Sequence, residues 1–188
     1  LSARFQLKNV IVEQNGLEAI RFLEKLPNDH QVSIGYIGSF SHPPNKIAVK
    51  QIINKIIPKL EKKQLDYEFI LAGENDLKTD NQRIKNLGPV KKIEDFYARI
   101  QILVAPIMAG SGTRIKILES LSFGIPVVTT EIGAEGIEID NSYLQIVRDD
   151  EDWLEAIGRA KNELKEEDKK KLKEQLRGFL WSESFRES

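Results

Sequence analysis

The stretch at residues 105–119, APIMAGSGTRIKILE, contains the side chains and turns best suited to holding a phosphate. A buried strand is predicted to end at Pro106, and a helix is predicted to begin near residue 113. The N-terminus of a helix presents unpaired N–H groups and a partial positive charge, which attract an anion. The intervening loop supplies glycines that let the backbone approach a ligand and hydroxyls that can cap the helix. These loop residues are Gly110, Ser111, Gly112 and Thr113.

Two cations and one carboxylate follow this loop. Arg114 and Lys116 fall in the first helical turn, where positive charge opposes the helix dipole, so a bound anion would resolve the conflict. Glu119 lies among apolar residues one and a half turns beyond Arg114, and a ribose diol would give its carboxylate two donors. The same pattern also fits a flexible loop with ordinary surface cations and a glutamate paired with a lysine.

A second candidate is the loop after the predicted strand at residues 32–38, where Gly38 and Ser39 could approach a diphosphate or form a plain turn. No GxGxxG fingerprint and no Gly-Lys-Ser/Thr loop occurs in the chain, which argues against NAD binding and ATP hydrolysis. Residues 133–136, GAEG, could border the same pocket, but the pattern favours a turn. The acidic run at residues 149–152 precedes a predicted helix, which favours capping over metal binding.

The elements that must position these residues alternate between short apolar strands and amphipathic helices. Strands are predicted at residues 10–12, 32–38, 67–73, 84–87, 102–106, 126–130 and 143–147. Helices are predicted at residues 46–63, with a kink at Pro58, and at 93–100 and 113–123, with further helices after residue 149. This alternation predicts a Rossmann-like, three-layer αβα domain with a mainly parallel sheet, spanning residues 1–188. Ligands of such sheets bind beyond the carboxyl ends of the strands.

The bulk composition excludes several classes of function. With 28 basic and 29 acidic residues, the chain has no net charge that would favour nucleic acid or an anionic membrane. It has no cysteine, which excludes disulfides and thiol catalysis, and its two histidines are too few for a histidine-rich metal site. We expect no metal and no cofactor beyond the substrate. Because the sequence opens on Leu1, we expect a fragment of a longer protein.

The motifs together resemble the C-terminal, donor-binding half of GT-B glycosyltransferases of the group 1, family 4-like kind. The matching segments run in order along nearly the whole chain. They are Asn15-Gly16-Leu17, Ile37-Gly38 with Asn45, the strand ending at Gly73, Leu87-Gly88-Pro89-Val90, residues 105–128 and residues 133–136.

The resemblance implies a nucleoside-diphosphate sugar, UDP- or GDP-linked, as the substrate whose sugar is transferred to an acceptor. Glu119 would hold the ribose hydroxyls, and Arg114 and Lys116 would stabilise the departing diphosphate as the catalytic cations. Gly38, Ser39, Gly73 and the loop residues 110–113 would line the donor site, with Val90 at the base. The resemblance further implies a retaining, metal-independent, hexosyltransferase-type enzyme of the cytoplasm, with a role in polysaccharide assembly as the commonest use.

Two departures from the family pattern bear on this expectation. Ser111 stands where relatives carry the first glutamate of a Glu-x7-Glu motif, and residues 39–45 lack the usual basic pair. The N-terminal, acceptor-binding domain is also missing, so we expect nucleotide-sugar binding with little or no transfer by this chain alone. Any contact with a membrane surface is expected from that missing domain. The alternatives are half of a nucleotide-sugar epimerase and a non-catalytic α/β binding module of response-regulator type.

Overall fold

The computed structural model describes residues 16–24, 27, 31–109, 114–140, 142–148, 152–161 and 165–181. Their strands form one parallel sheet of six, in the order β3-β2-β1-β4-β5-β6. The strands are β1 (Val32–Ile37), β2 (Tyr67–Ala72), β3 (Ile84–Gly88), β4 (Ile102–Ala105), β5 (Val127–Thr130) and β6 (Leu144–Val147). This confirms the predicted α/β, Rossmann-like fold. The predicted strand at residues 10–12 lies outside the described residues.

Helices cover both faces of the sheet, because most strands are apolar on both sides and must be buried on both. They are α1 (Pro43–Gln51), α2 (Ile57–Lys62), α3 (Ile93–Tyr97), α4 (Ile115–Ser122), α5 (Glu131–Ala134), α6 (Trp153–Ala160) and α7 (Glu166–Arg177). One core packs α3, α4 and α7 against the sheet. The other core packs α1, α2 and α6 against the opposite face.

The first strand shows how the sequence assigns residues to these two faces. Ile34 and Tyr36 point into the core beside α1, and Gly35 points into the other core. A Cβ on Gly35 would lie 2.5 Å from Ile100 and 2.8 Å from Phe96. Glycine at this position therefore lets α3 and the residues after it sit directly on the sheet.

The predicted kink at Pro58 takes the form of a π-helical segment, Ile52–Ile56, between α1 and α2. The Ile57 N–H donates to Ile52 O, five residues back, and Pro58 is the second residue of the helix that begins at Ile57. Because proline has no N–H, an unbroken α-helix would lose a hydrogen bond here, and the wider turn accommodates that loss.

An extended segment at residues 16–23 connects residues 179–181 with the end of α4. Leu17 N–H donates to Phe179 O at 2.7 Å, and Trp181 N–H donates to Leu17 O at 3.1 Å. Leu23 N–H donates to Phe123 O beyond the end of α4. A Cβ on Gly16 would lie 2.6 Å from Phe179 O, so glycine is required where the two segments approach most closely.

The structure adjusts several predicted boundaries. The predicted helix at 46–63 begins earlier, at Pro43, because proline is well tolerated in a first helical turn. The short helix α5 was read from the sequence as a turn; Thr130 caps it by accepting from the Gly133 N–H at 3.1 Å. Asp152 lies at the N-cap of α6 without a side-chain cap hydrogen bond, so the expected capping is wrong for this residue. Residues 149–151 lie outside the described part.

Candidate functional site

The strand order reverses at the centre of the sheet, between β1 and β4. Chain connections leave these two strands in opposite directions, toward β2 on one side and toward β5 on the other. Such a reversal opens a crevice beyond the carboxyl ends of the two strands, which is where ligands bind in open α/β sheets. Gly38 follows β1 and Pro106 follows β4, so both sequence-predicted loops begin at this crevice.

The loops after β1, β2 and β3 pack against each other through their glycines. Gly38 N–H donates to Ala72 O at 3.0 Å, and Gly73 N–H donates to Gly88 O at 2.8 Å. A Cβ on Gly73 would lie 2.5 Å from Gly38 O, and its φ of +107° suits glycine. The N–H groups of Gly38 and Gly73 are thus engaged within the protein, which leaves phosphate contacts to other groups of these loops.

Lys116 crosses the carboxyl edge of the sheet from α4 to the opposite layer. Its Nζ donates to Tyr36 Oη at 2.8 Å and to Asn45 Oδ1 at 2.7 Å. The ammonium also lies 4.3 Å from the centroid of the Tyr36 ring, within the range of a cation–π contact. The cation is therefore held at the crevice between β1 and β4, beside the loop that begins at Gly38.

The surroundings of Lys116 make its charge costly. Burial lowers the pKa of Lys116 to about 8, and the carboxylate of Glu119 opposes that shift. Burial conversely raises the pKa of Glu119, while the Tyr97 hydroxyl and the Lys116 ammonium oppose the rise. Among the contacts of the described residues, no carboxylate bonds directly to the Lys116 ammonium, so the hydrogen-bond acceptors of this partly buried cation are neutral.

Glu119 lies one turn beyond Lys116 on α4, at the i, i+3 spacing that places both on one helix face. Tyr97 Oη lies 3.1 Å from Lys116 O and 3.5 Å from Glu119 Oε2. The Tyr97 ring is fully buried and stacks on Phe123 with a centroid distance of 4.8 Å. Glu119 is only partly buried, so its carboxylate remains accessible to a donor group of a ligand.

Arg114 is directed to the other side of β4, toward β5 and α5. Its Nε donates to Ile132 O at 2.9 Å, and its guanidinium pairs with Glu135 at 3.4 Å. The Arg114 side chain is 8% exposed, whereas that of Glu135 is 77% exposed. The two cations therefore flank the end of β4, with Lys116 on the β1 side and Arg114 on the β5 side.

The remaining predicted site residues fall in two groups. Gly38, Ser39, Gly73 and Val90 lie on the loops beyond β1, β2 and β3, at the same edge as Lys116. Val90 is partly buried against the core, behind the turn at Gly88, whose φ is +64°. Gly110, Ser111, Gly112 and Thr113 lie outside the described residues.

Sequence reasoning gave no role to Tyr36, Asn45, Tyr97 or Glu135. Tyr36 carries a signal in retrospect, because it is the only aromatic residue of β1 and a buried tyrosine hydroxyl needs a partner. Asn45 belongs to the family-like glycine loop, but its contact with Lys116 joins residues 71 positions apart. Only the fold brings them together.

The described residues also bear on a metal centre and on a membrane-spanning helix. Within the described ranges, no group of three or more histidine, cysteine, aspartate or glutamate residues is arranged to hold a metal ion. Among the helices that the structure describes, none is long and apolar enough to cross a membrane.

Comparison with known proteins gives a family match and a set of structural neighbours. The family model described as "Glycosyl transferases group 1" matches residues 31–163. Among curated proteins, none matches the sequence.

Three solved structures illustrate the neighbours. A variant of S. aureus TarM with Fondaparinux, alpha-GlcNAc-glycerol and UDP has a TM-score of 0.73 and 16% identity, over 97% of this chain and 39% of that one. The pneumococcal O-GlcNAc transferase GtfA with UDP and GlcNAc has a TM-score of 0.66 and 10% identity, over 89% of this chain and 36% of that one. Anabaena Alr3699/HepE with UDP and glucose has a TM-score of 0.62 and 12% identity, over 85% of this chain and 49% of that one. The chain thus shares their fold and spans less than half the length of each.

Proposed function

From the premise that the chain belongs to the group 1 glycosyl transferases, we propose that it is the donor-binding half of such an enzyme and binds a nucleoside-diphosphate sugar. Family membership favours this function over the epimerase and response-regulator alternatives. The chain covers less than half of each of the three neighbours described above, so the acceptor-binding half is proposed to be a separate N-terminal domain of the same polypeptide. The donor would then lie in the cleft between the two domains.

The observation that carries the proposal is the position of the Lys116 ammonium at the crevice between β1 and β4. A partly buried cation whose hydrogen-bonded acceptors are neutral is expected to bind an anion strongly, because the anion supplies a direct charged partner for the ammonium. The diphosphate of a nucleotide sugar is such an anion. During transfer, negative charge grows on the leaving nucleotide, and a cation fixed in place beforehand stabilises it.

The other predicted residues take complementary roles in this proposal. The half-buried Glu119 would accept hydrogen bonds from the ribose hydroxyls. The turn at Gly88 and Val90 would border the base, and Arg114 would add positive charge on the far side of β4. We propose UDP as the first nucleotide to test, since it is bound in all three neighbours named above.

The test is a calorimetric titration of the 188-residue chain with UDP, GDP, ADP and CMP. We expect saturable binding of one diphosphate, and at least about tenfold weaker binding in Lys116→Met and in Glu119→Gln. Arg83→Ala and Glu61→Gln are matched controls, because Arg83 and Glu61 lie at the opposite edge of the sheet and Glu61 likewise accepts from a tyrosine hydroxyl, that of Tyr67. A chain that binds none of the four nucleotides would overturn the proposal.

Transfer itself requires a second measurement. We propose that the chain alone releases little or no sugar from a UDP-sugar or GDP-sugar, because the groups that hold the acceptor are contributed by the other domain. The rate is measured as nucleotide released with and without a sugar acceptor. Turnover comparable to that of two-domain group 1 enzymes would contradict this part of the proposal.

A further inference from the structure

We infer that Tyr36 and Asn45 are positioning residues that fix the Lys116 ammonium against the Gly38 loop and aim it at the phosphate of a bound nucleotide. This inference rests on the proposed function and adds to it a positioning mechanism supplied by the opposite layer of the fold. Neither residue is expected to contact the reacting atoms. Each acts through Lys116.

Tyr36 provides a rigid surface under the ammonium. Its side chain is 1% exposed and packs in the core beside α1, so the ring cannot move without disturbing that core. The ring face attracts the cation, and the hydroxyl accepts one of its protons at 2.8 Å. A lysine side chain has a flexible four-carbon stem, and these two contacts hold its ammonium group in one place.

Asn45 connects the ammonium to the loop after β1. Its Oδ1 accepts from Lys116 Nζ at 2.7 Å and from Tyr36 Oη at 2.9 Å, while its Nδ2 donates to Ser39 O at 2.9 Å. The amide also fills the space beside Gly38, where a Cβ would approach it to 2.7 Å. A movement of the loop after β1 should therefore also shift Asn45 Oδ1, the acceptor of the Lys116 ammonium.

The arrangement leaves a defined direction for a ligand. An ammonium has three protons, and Tyr36 and Asn45 accept two of them. A phosphate oxygen is the acceptor that we assign to the third. Two neutral acceptors fix the direction of the cation without cancelling its charge, whereas a carboxylate in either position would cancel it.

The groups that face the ammonium come from four elements. They are Tyr36 of β1, Asn45 of α1, Glu119 of α4 itself and, through Glu119, Tyr97 of α3. Burial raises the pKa of both Tyr36 and Tyr97, so both phenols stay protonated through the range in which Lys116 titrates. Glu119 favours the charged lysine, and it is unchanged in the variants below.

Two substitutions should move the pKa of Lys116 in opposite directions. Tyr36→Phe keeps the ring and removes an acceptor of the charged form, so it should lower the pKa of Lys116. Asn45→Asp places a negative charge at the other acceptor, so it should raise that pKa. Both should weaken UDP binding about tenfold at neutral pH, since one misplaces the cation and the other neutralises it.

The experiment measures the pKa of Lys116 by side-chain NMR of the lysine-labelled 188-residue chain, and the Kd for UDP by calorimetry. Lys116→Met assigns the signal. Tyr67→Phe is the matched control, because Tyr67 is also buried but lies at the start of β2, paired in register with Val32 at the far edge. It should change neither quantity. A merely structural role would not produce pKa shifts of opposite sign.

The outcomes separate this inference from the proposed function. If Tyr36→Phe and Asn45→Asp leave the pKa of Lys116 where Tyr67→Phe leaves it, the positioning inference is overturned, whether or not UDP binds. If the pKa shifts occur but the unsubstituted chain binds no nucleoside diphosphate, the positioning of Lys116 stands and the proposed function fails. Circular dichroism of each variant confirms that the compared chains are folded.

Discussion

The Nζ of Lys116 lies 2.7 Å from the Oδ1 of Asn45, although 71 positions separate the two residues. The contact joins the helix that follows β4 to the helix that follows β1, across the point where the strand order reverses. It places a cation at the position where an open α/β sheet binds its ligand. The stability and binding properties of the chain should both depend on this contact, in opposite senses.

Lys116→Met should stabilise the ligand-free chain while weakening nucleotide binding. The lowered pKa of Lys116 means that the folded state disfavours the charged form at neutral pH, and methionine removes that cost while keeping much of the chain length. Tyr36 Oη can still donate to Asn45 Oδ1, so no buried acceptor is left without a partner. We expect about 1 kcal/mol or more of added stability in urea unfolding at pH 7. The exposed Lys50→Met is the control, and a less stable Lys116→Met chain would contradict the argument.

The stability difference between the two chains should also depend on pH. Lys116 titrates at about 8 in the folded chain and near its ordinary value when unfolded. The cost of its charge is therefore complete below pH 8 and disappears as the pH rises from about 8 toward about 10. Unfolding curves of both chains measured across this range should converge. Parallel curves would show that the lysine is not desolvated in the folded chain.

UDP binding should weaken as the pH rises through about 8. The diphosphate is fully ionised there, and the loss of affinity follows deprotonation of Lys116, approaching tenfold per pH unit above the pKa. Calorimetry at a series of pH values measures the effect. Lys116→Met should bind more weakly and show no such dependence, and an equal dependence in that variant would assign the titration to another group.

Alanine should be tolerated very differently at two neighbouring turn glycines. At Gly88 the φ of +64° makes alanine strained, but a Cβ meets nothing within 4 Å, so we expect a loss of about 1 kcal/mol. At Gly73 the φ is +107° and a Cβ would lie 2.5 Å from Gly38 O, so the loss should exceed about 2 kcal/mol. Thermal unfolding of both variants measures the difference. Equal losses of stability would mean that the loop after β1 can move away from a Cβ at position 73 without a cost in free energy.

The two partners of the ion pair between Arg114 and Glu135 should contribute unequally to the stability of the chain. Arg114→Met removes a buried guanidinium and its hydrogen bond to Ile132 O, which should destabilise the chain by about 1–3 kcal/mol. Glu135→Gln changes an exposed carboxylate, so its effect should remain below about 1 kcal/mol. Urea unfolding of the single variants measures both. A larger loss in Glu135→Gln would show that the carboxylate, and not the Ile132 carbonyl, holds Arg114.

The family and fold are readable from local sequence because each element carries its own signal. The strand predicted at residues 32–38 and the helix predicted at residues 93–100 both carry local apolar signals, and the structure confirms them as β1 and α3. The short helix α5 was missed, because its four residues are too few to show a helical period and it is fixed by the cap at Thr130.

For the site, the sequence by itself determined which residue types are present: a glycine-rich loop after a strand, two cations and a carboxylate at helical spacing. The neighbours of those cations were decided only by the tertiary structure. Arg114 and Lys116 are two positions apart in the sequence. Arg114 nevertheless donates to Ile132 O after β5, whereas Lys116 donates to Tyr36 Oη near the end of β1. The reason is that α4 lies at the centre of the sheet, between loops contributed by strands distant in sequence. A local pattern specifies a helix and its charges, but strand order decides what those charges meet.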